Sequence, residues 1–151
     1  MTQALEILLV EDSPADAYLT LEALRDTKTV HHVHVVGDGV EALRFLRRRP
    51  PHDVAPRPDI ILLDLNLPRI DGKELLAEIK GDELLRDIPV VVLSGSASQD
   101  DINYAYHHNV SCYITKSAQL EQYMDAIRTL KELWFHTASF PTKTTAAHVA
   151  I

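Results

Sequence analysis

Cysteine is nearly missing from this chain. Cys112 is the only one among 151 residues, so no intramolecular disulfide can form and a reducing compartment is expected. The lone thiol is expected to pack as a small hydrophobe. An excess of basic charge is lacking too: 15 Lys and Arg against 22 Asp and Glu leave a net charge of −7. That balance excludes a general nucleic-acid binder, which needs cations to neutralise phosphates along one face. The Arg47-Arg48-Arg49 run reads as the solvated end of a helix, where cations complement the carbonyl dipole. No apolar run approaches the length of a bilayer span, and the first residues show no basic segment leading into an apolar one. A cytoplasmic protein without membrane contact is therefore expected. Internal repeats with a period of roughly 20–50 residues are also missing.

What is present is an ordinary globular composition, 46% hydrophobic and 25% charged, of a length that suits one domain with a sizeable core. Leu5 to Val10 reads as a buried strand, and Ser13-Pro14 then opens a helix, Ser as N-cap and Pro in the first turn. Ala17, Tyr18, Leu21 and Leu24 recur along that helix at helical spacing. His32 to Val36 is a weaker, edge-type strand. Asp38 with Glu41 forms a capping box, and Leu43 and Leu46 carry the buried stripe behind it. Four prolines between Pro50 and Pro58 make a loop. Ile60 to Leu63 is a fully buried strand, Asp71 with Glu74 a second capping box, and Gly81 the end of that helix. Val90 to Leu93 is a fourth strand; Ser98 or a neighbour caps a helix from about Gln99 to His108, with Asn109 as its left-handed end. Ser111 to Thr115 is the fifth strand, and Leu120, Met124, Ile127, Leu130 and Trp134 mark an amphipathic last helix. Five strands alternating with five helices predict an α/β fold, a doubly wound parallel sheet in the order 2-1-3-4-5. The domain is expected over residues 1–136. Residues 137–151 read as a tail that is partly disordered or ordered by a partner.

In such a sheet the carboxyl ends of strands 1, 3, 4 and 5 share one edge. They deliver Glu11 and Asp12, then Asp64, then Ser94, then Lys116. Packed carboxylates repel, so one of them should have a raised pKa or the group should hold a cation. Magnesium fits, since it takes oxygen ligands and pairs one or two carboxylates with a phosphate. An acidic metal site beside a fixed lysine suits phosphoryl transfer. Asp64 would be the nucleophile, Lys116 and the metal would stabilise charge, and Ser94 would bond a phosphoryl oxygen.

Together with Asp64-Leu65-Asn66-Leu67-Pro68 and Tyr113, this set closely resembles the receiver domain of two-component response regulators, a flavodoxin-like fold. The resemblance implies that Asp64 accepts phosphate from the phosphohistidine of a sensor histidine kinase. It further implies that Asp12, Asp64 and the backbone carbonyl of Asn66 hold Mg2+, or Mn2+, with Glu11 helping through water. Ser94 and Tyr113 correspond to the family's switch pair, and Lys116 to its lysine. More narrowly, Leu62 to Pro68, Cys112 to Ser117 and Leu133-Trp134-Phe135 look like the stand-alone regulators of bacterial and cyanobacterial phytochromes. A phytochrome-type kinase partner follows from that likeness. A homodimer through the fourth helix, fifth strand and fifth helix with the C-terminal aromatics is also expected, and no effector domain. The chain departs from the family where Ser117 follows Lys116 in place of proline, which leaves the cis or trans state of that bond open.

Rival readings meet specific residues. An aspartyl phosphatase usually carries a second acid two positions after its nucleophile, where Asn66 stands. A flavin carrier would need phosphate-binding donors in the first loop, which Glu11 and Asp12 occupy. Strand alternation sends His32 and His34 to one face and His31 to the other, which disfavours a metal tract. Adjacent Trp134 and Phe135 point about 100° apart, so they are not expected to enter the same core contact; one of them is read as serving a partner with Phe140, and core packing of Trp134 is the equal alternative.

Overall fold

The computed structural model describes residues 4–26, 28–116 and 119–141. Its elements alternate as β1 (Leu5–Val10), α1 (Pro14–Leu24), β2 (His31–Val36), α2 (Gly39–Leu46), β3 (Ile60–Leu63), α3 (Gly72–Gly81), β4 (Val90–Ser94), α4 (Gln99–His107), β5 (Cys112–Thr115) and α5 (Leu120–His136). All pairings are parallel, in the order β2-β1-β3-β4-β5. The predicted doubly wound sheet is thus what forms.

Alternation along the inner strands builds two cores. Leu8, Val10, Ile61, Leu63, Val90 and Val92 face α2, α3 and α4. Ile7, Leu9, Ile60, Leu62, Val91 and Leu93 face α1 and α5. Because both faces are covered, the central strands read as unbroken apolar runs.

Some side chains depart from the sequence expectation. Tyr18 is exposed, and α1 buries Ala17, Thr20, Ala23 and Leu24 instead. The reason is that α1 lies close against α5, where small residues fit and the Thr20 hydroxyl meets the Tyr123 hydroxyl at 2.8 Å. Leu120 is likewise exposed, and Tyr123 takes the place expected for it. On α2, Phe45 is buried while Leu46 is only partly so. The Asp71 carboxylate accepts from the Lys73 N–H, not from Glu74 as a capping box requires. Gly81 is the last helical residue and has no positive φ. Asn109 does take the left-handed conformation, at φ 62°.

Trp134 and Phe135 both pack on the α1/α5 side of the core, and Phe140 joins them. Both find cover on that side, each with a different ring partner, so neither is left free for a partner protein. There Phe135 reaches the His31 ring, 5.0 Å away between centroids, while Trp134 meets Phe140 at 5.4 Å. Of the tail, residues 137–141 are described; the expectation for 142–151, and that for the Lys116–Ser117 bond, lie outside the described residues.

Gly72 sets the distance between α3 and the end of β3. A Cβ there would lie 2.4 Å from Leu65 Cα and 2.7 Å from the Asp64 carbonyl oxygen, whereas a Cβ on Gly81 meets nothing within 4 Å. Gly72→Ala is therefore expected to cost about 1–3 kcal/mol by overpacking. Gly81→Ala should instead stabilise by about 0.4–1 kcal/mol through a less flexible unfolded chain. Urea unfolding midpoints moving in opposite directions would bear this out, and equal midpoints would refute it.

Candidate functional site

The strand ends are held by ladder bonds that carry one residue beyond each strand. Glu11 N–H donates to the Val36 carbonyl (3.0 Å), Asp64 N–H to Val10 (3.0 Å) and Lys116 N–H to Ser94 (2.7 Å). Three chemically active side chains are thereby fixed through their own backbones at one edge of the sheet. Glu11 and Asp64 are buried, while Asp12 is exposed. Their carboxylates form a group with one oxygen from each lying within 4.8 Å of the others. An oxygen-only donor set of this kind, two of its members desolvated, fits a hard divalent cation.

Lys116 reaches into this group. Its ammonium lies 2.6 Å from Glu11, 3.2 Å from Asp64 and 3.0 Å from Asp16. Asp16 was missed by the sequence reading. Its signal was available, since it stands in the first turn of α1, four residues after Asp12, with its N–H on the Ser13 capping hydroxyl (3.2 Å). The other Asp64 oxygen accepts from the Asn66 N–H at 2.9 Å, and Asn66 is itself exposed. Its carboxylate is thus oriented from both sides.

Ser94 is buried at the end of β4, and its hydroxyl accepts from the Ser96 N–H (3.1 Å). Ser96 proves to be a junction that the sequence did not advertise. Its carbonyl accepts from the Tyr113 hydroxyl (2.8 Å), and its own hydroxyl donates to Asp101 (2.6 Å). Asp101 in turn pairs with Lys73 on α3 at 2.5 Å. The expected switch residues therefore meet through one loop residue, not through each other.

The histidines divide as alternation predicts. His32 and His34 both bond Glu6, at 2.9 and 2.7 Å. Burial raises the Glu6 pKa, but these two imidazoles outweigh it and hold the carboxyl below its usual value.

Electrostatics at the site are strained. Burial is the largest influence on Glu11; with the neighbouring Asp64 it overcomes the pull of Lys116 and pushes the carboxyl from its usual 4.5 up to about 7. Burial also works against the Lys116 charge, but hydrogen bonds to Glu11 and Asp16 and the charge of Asp64 outweigh it and raise the ammonium above its ordinary value. The raised pKa expected of one acid falls on Glu11, with burial as its first cause, ahead of Asp64.

Comparison with known proteins follows the same lines. The family model of the response regulator receiver domain matches residues 7–128. Response regulator Rcp1 of a Synechocystis species is 43% identical over 135 residues, spanning 89% of this chain and 92% of that protein. Among solved structures, the phosphorylated cyanobacterial phytochrome response regulator RcpA superposes with a TM-score of 0.89 at 49% identity, covering 93% of this chain and 100% of that one. The Mn2+-bound form of Rcp1 gives 0.88 at 42% identity, covering 91% and 99%.

A raised Glu11 pKa means that the folded protein keeps a proton the unfolded chain would lose near 4.5. The stability it contributes is complete below that pH and is lost as pH rises through about 7. Glu11→Gln should therefore gain stability relative to wild type between pH 5 and pH 8, on the order of 1–3 kcal/mol, measured by urea unfolding without divalent cations. A wild-type and variant difference that stays constant across this range would contradict the assignment.

Proposed function

The chain belongs to the response regulator receiver domain family, and from that premise we propose that it is a stand-alone receiver accepting a phosphoryl group on Asp64 from a phytochrome-type sensor histidine kinase. The observation that carries this reading is Asp64 itself: a buried carboxylate at the carboxyl end of the central strand, inside a carboxylate group and 3.2 Å from an ammonium. The partner and a cytoplasmic location are drawn from the likeness to Rcp1 and to the phytochrome response regulator RcpA.

In the transfer, an Asp64 oxygen attacks phosphorus, the phosphorus–nitrogen bond of the phosphohistidine breaks, and the released imidazole keeps the electron pair. The product is an acyl phosphate. Asp12, Asp64 and the backbone carbonyl of Asn66 would hold Mg2+, or Mn2+ as bound in the Rcp1 structure, with Glu11 helping through water. Such an ion, when bound, neutralises charge on the phosphoryl oxygens. The Asn66 N–H keeps Asp64 aligned, and Lys116 stabilises the product charge. The chain catalyses only its own aspartyl phosphorylation and dephosphorylation. Asn66, two positions after the nucleophile, cannot serve as the acid or base of a turnover phosphatase.

Output follows from Ser94. When its hydroxyl turns to a phosphoryl oxygen, the Ser96 N–H loses its acceptor, and the Tyr113 contact on the same residue changes with it. The altered surface is that of α4, β5 and α5, where Tyr106, Leu120 and Leu133 are exposed. Homodimerisation through this face supplies the binding output.

Incubation with acetyl phosphate and Mg2+ should add one phosphoryl mass to the wild-type chain and none to Asp64→Asn, and labelling should disappear when Mg2+ is removed. A labelled Asp64→Asn variant would overturn the acceptor assignment. For the output, light scattering should show phosphorylation driving the chain toward a dimer, and Leu133→Asp should weaken it. A concentration-independent monomer in both states would exclude the dimer.

A further inference from the structure

Lys116 has three carboxylate partners, and they are not equivalent. Glu11 and Asp64 belong to the group that fits a divalent cation; Asp16 does not. In the reactive state the oxygens of the first two are shared with the ion and with the incoming phosphoryl group. Asp16 stands apart, in the first turn of α1, with its side chain 41% exposed and its backbone held by the Ser13 cap. Its oxygen is 3.0 Å from an ammonium whose side chain is only 15% exposed. A lysine on a four-carbon stem keeps much rotational freedom unless its head is tied. Proper aim of a charged group at a reacting centre depends on such ties, and small misplacements lower rates steeply.

We infer that Asp16 is a positioning residue, the carboxylate that keeps Lys116 aimed at the Asp64 oxygen once Glu11 and Asp64 are engaged elsewhere. This inference rests on the reading of Asp64 as phosphoryl acceptor. Asp16 touches neither the phosphoryl group nor the carboxylates that would hold the ion; it acts through the lysine alone. Its place on α1 also brings the tie from a different element than the strand that carries Lys116. The aim of the lysine therefore depends on how α1 sits against β5.

The test uses the full chain with phosphoramidate, a small donor that needs no kinase docking, so an effect of Asp16 on partner binding cannot enter. Asp16→Asn keeps the shape and removes the charge; Asp16→Glu restores the charge at a longer reach. The Asn variant is expected to take up phosphoryl mass roughly ten-fold more slowly, with Mg2+ affinity by calorimetry close to wild type. In the Mg2+-loaded, unphosphorylated protein, the 15N-edited resonance of the Lys116 ammonium should be present in wild type, lost in Asp16→Asn and present in Asp16→Glu. The Glu variant should also recover part of the rate. Labelling of the Asn variant at the wild-type rate would overturn the inference, and so would an ammonium resonance left intact in it. A loss of Mg2+ affinity in step with the rate would overturn it as well, since Asp16 would then act through the ion. If wild type itself takes no phosphoryl group, the acceptor reading fails. The resonance comparison requires no transfer and still decides whether Asp16 holds the lysine.

Discussion

One half-buried ammonium ties the active edge of this protein together. Lys116 extends from the residue after β5 and meets carboxylates that arrive after β1, from α1 and after β3. Four separate segments therefore depend on a single charge for their arrangement. Removing the lysine from such a cluster leaves the carboxylates without a compensating charge, which is costly for the buried ones. The cluster is also unbalanced, because three acids facing one lysine leave negative charge in a desolvated place. Glu11 shows the consequence, pushed up to about 7 by burial and by Asp64. A site under this tension suits a divalent cation, whose charge offsets the surplus of carboxylates.

The sheet makes the cluster possible by keeping its apolar work elsewhere. Along β1, β3 and β4, alternate residues go to the α2/α3/α4 core and to the α1/α5 core, so β1 and β3 are consumed by packing up to their last residue, while β4 ends on Ser94. The first residue past the strand is released from that demand but is still held by a ladder bond, as Asp64 is to Val10 and Lys116 to Ser94. Position is inherited from the sheet while the side chain is free for chemistry. Gly72 completes the arrangement, since only a residue without a Cβ lets α3 approach the Asp64–Leu65 backbone so closely.

The strands, their order and most helix starts were legible because they rest on local patterns. Apolar runs, Ser13, Asp38 and Ser98 as caps, and Asn109 as a left-handed end are all read from a few neighbouring residues. Which apolar residue of a helix is buried was less legible. Tyr18 and Leu120 satisfy helical spacing as well as Thr20 and Tyr123 do, and only the close approach of α1 to α5, with the hydroxyl pair between them, decides which is inside. The corner where Trp134, Phe135 and Phe140 all find cover is equally a matter of where α5 ends over the sheet. At the site, Glu11, Asp12, Asp64, Ser94 and Lys116 could be foreseen because they stand at strand ends. Asp16 offered only its place in the first turn of α1, with no sign of a partner 100 residues away, and Ser96 offered nothing, because its role comes from a loop held by several bonds at once.

Ser96 also links the end of β4 to β5, α4 and α3. Its amide serves Ser94, its carbonyl serves Tyr113, and its hydroxyl serves Asp101, which holds Lys73. Lys73 lies 5.4 Å from the Tyr104 ring centroid, and the Tyr104 hydroxyl closes the circuit on the Lys73 carbonyl at 2.9 Å. A residue bonded at three points cannot move at one of them alone. If Ser94 turns toward a phosphoryl oxygen, the Ser96 backbone must find another acceptor, and the tyrosine on β5 and the acid on α4 are both drawn into the change. The charged link from α4 to α3, Asp101 to Lys73, adds a further bond to this arrangement. A two-state element responds only as far as the two states differ in their contacts, and the bonds around Ser96 are those that a turn of Ser94 would have to break or remake.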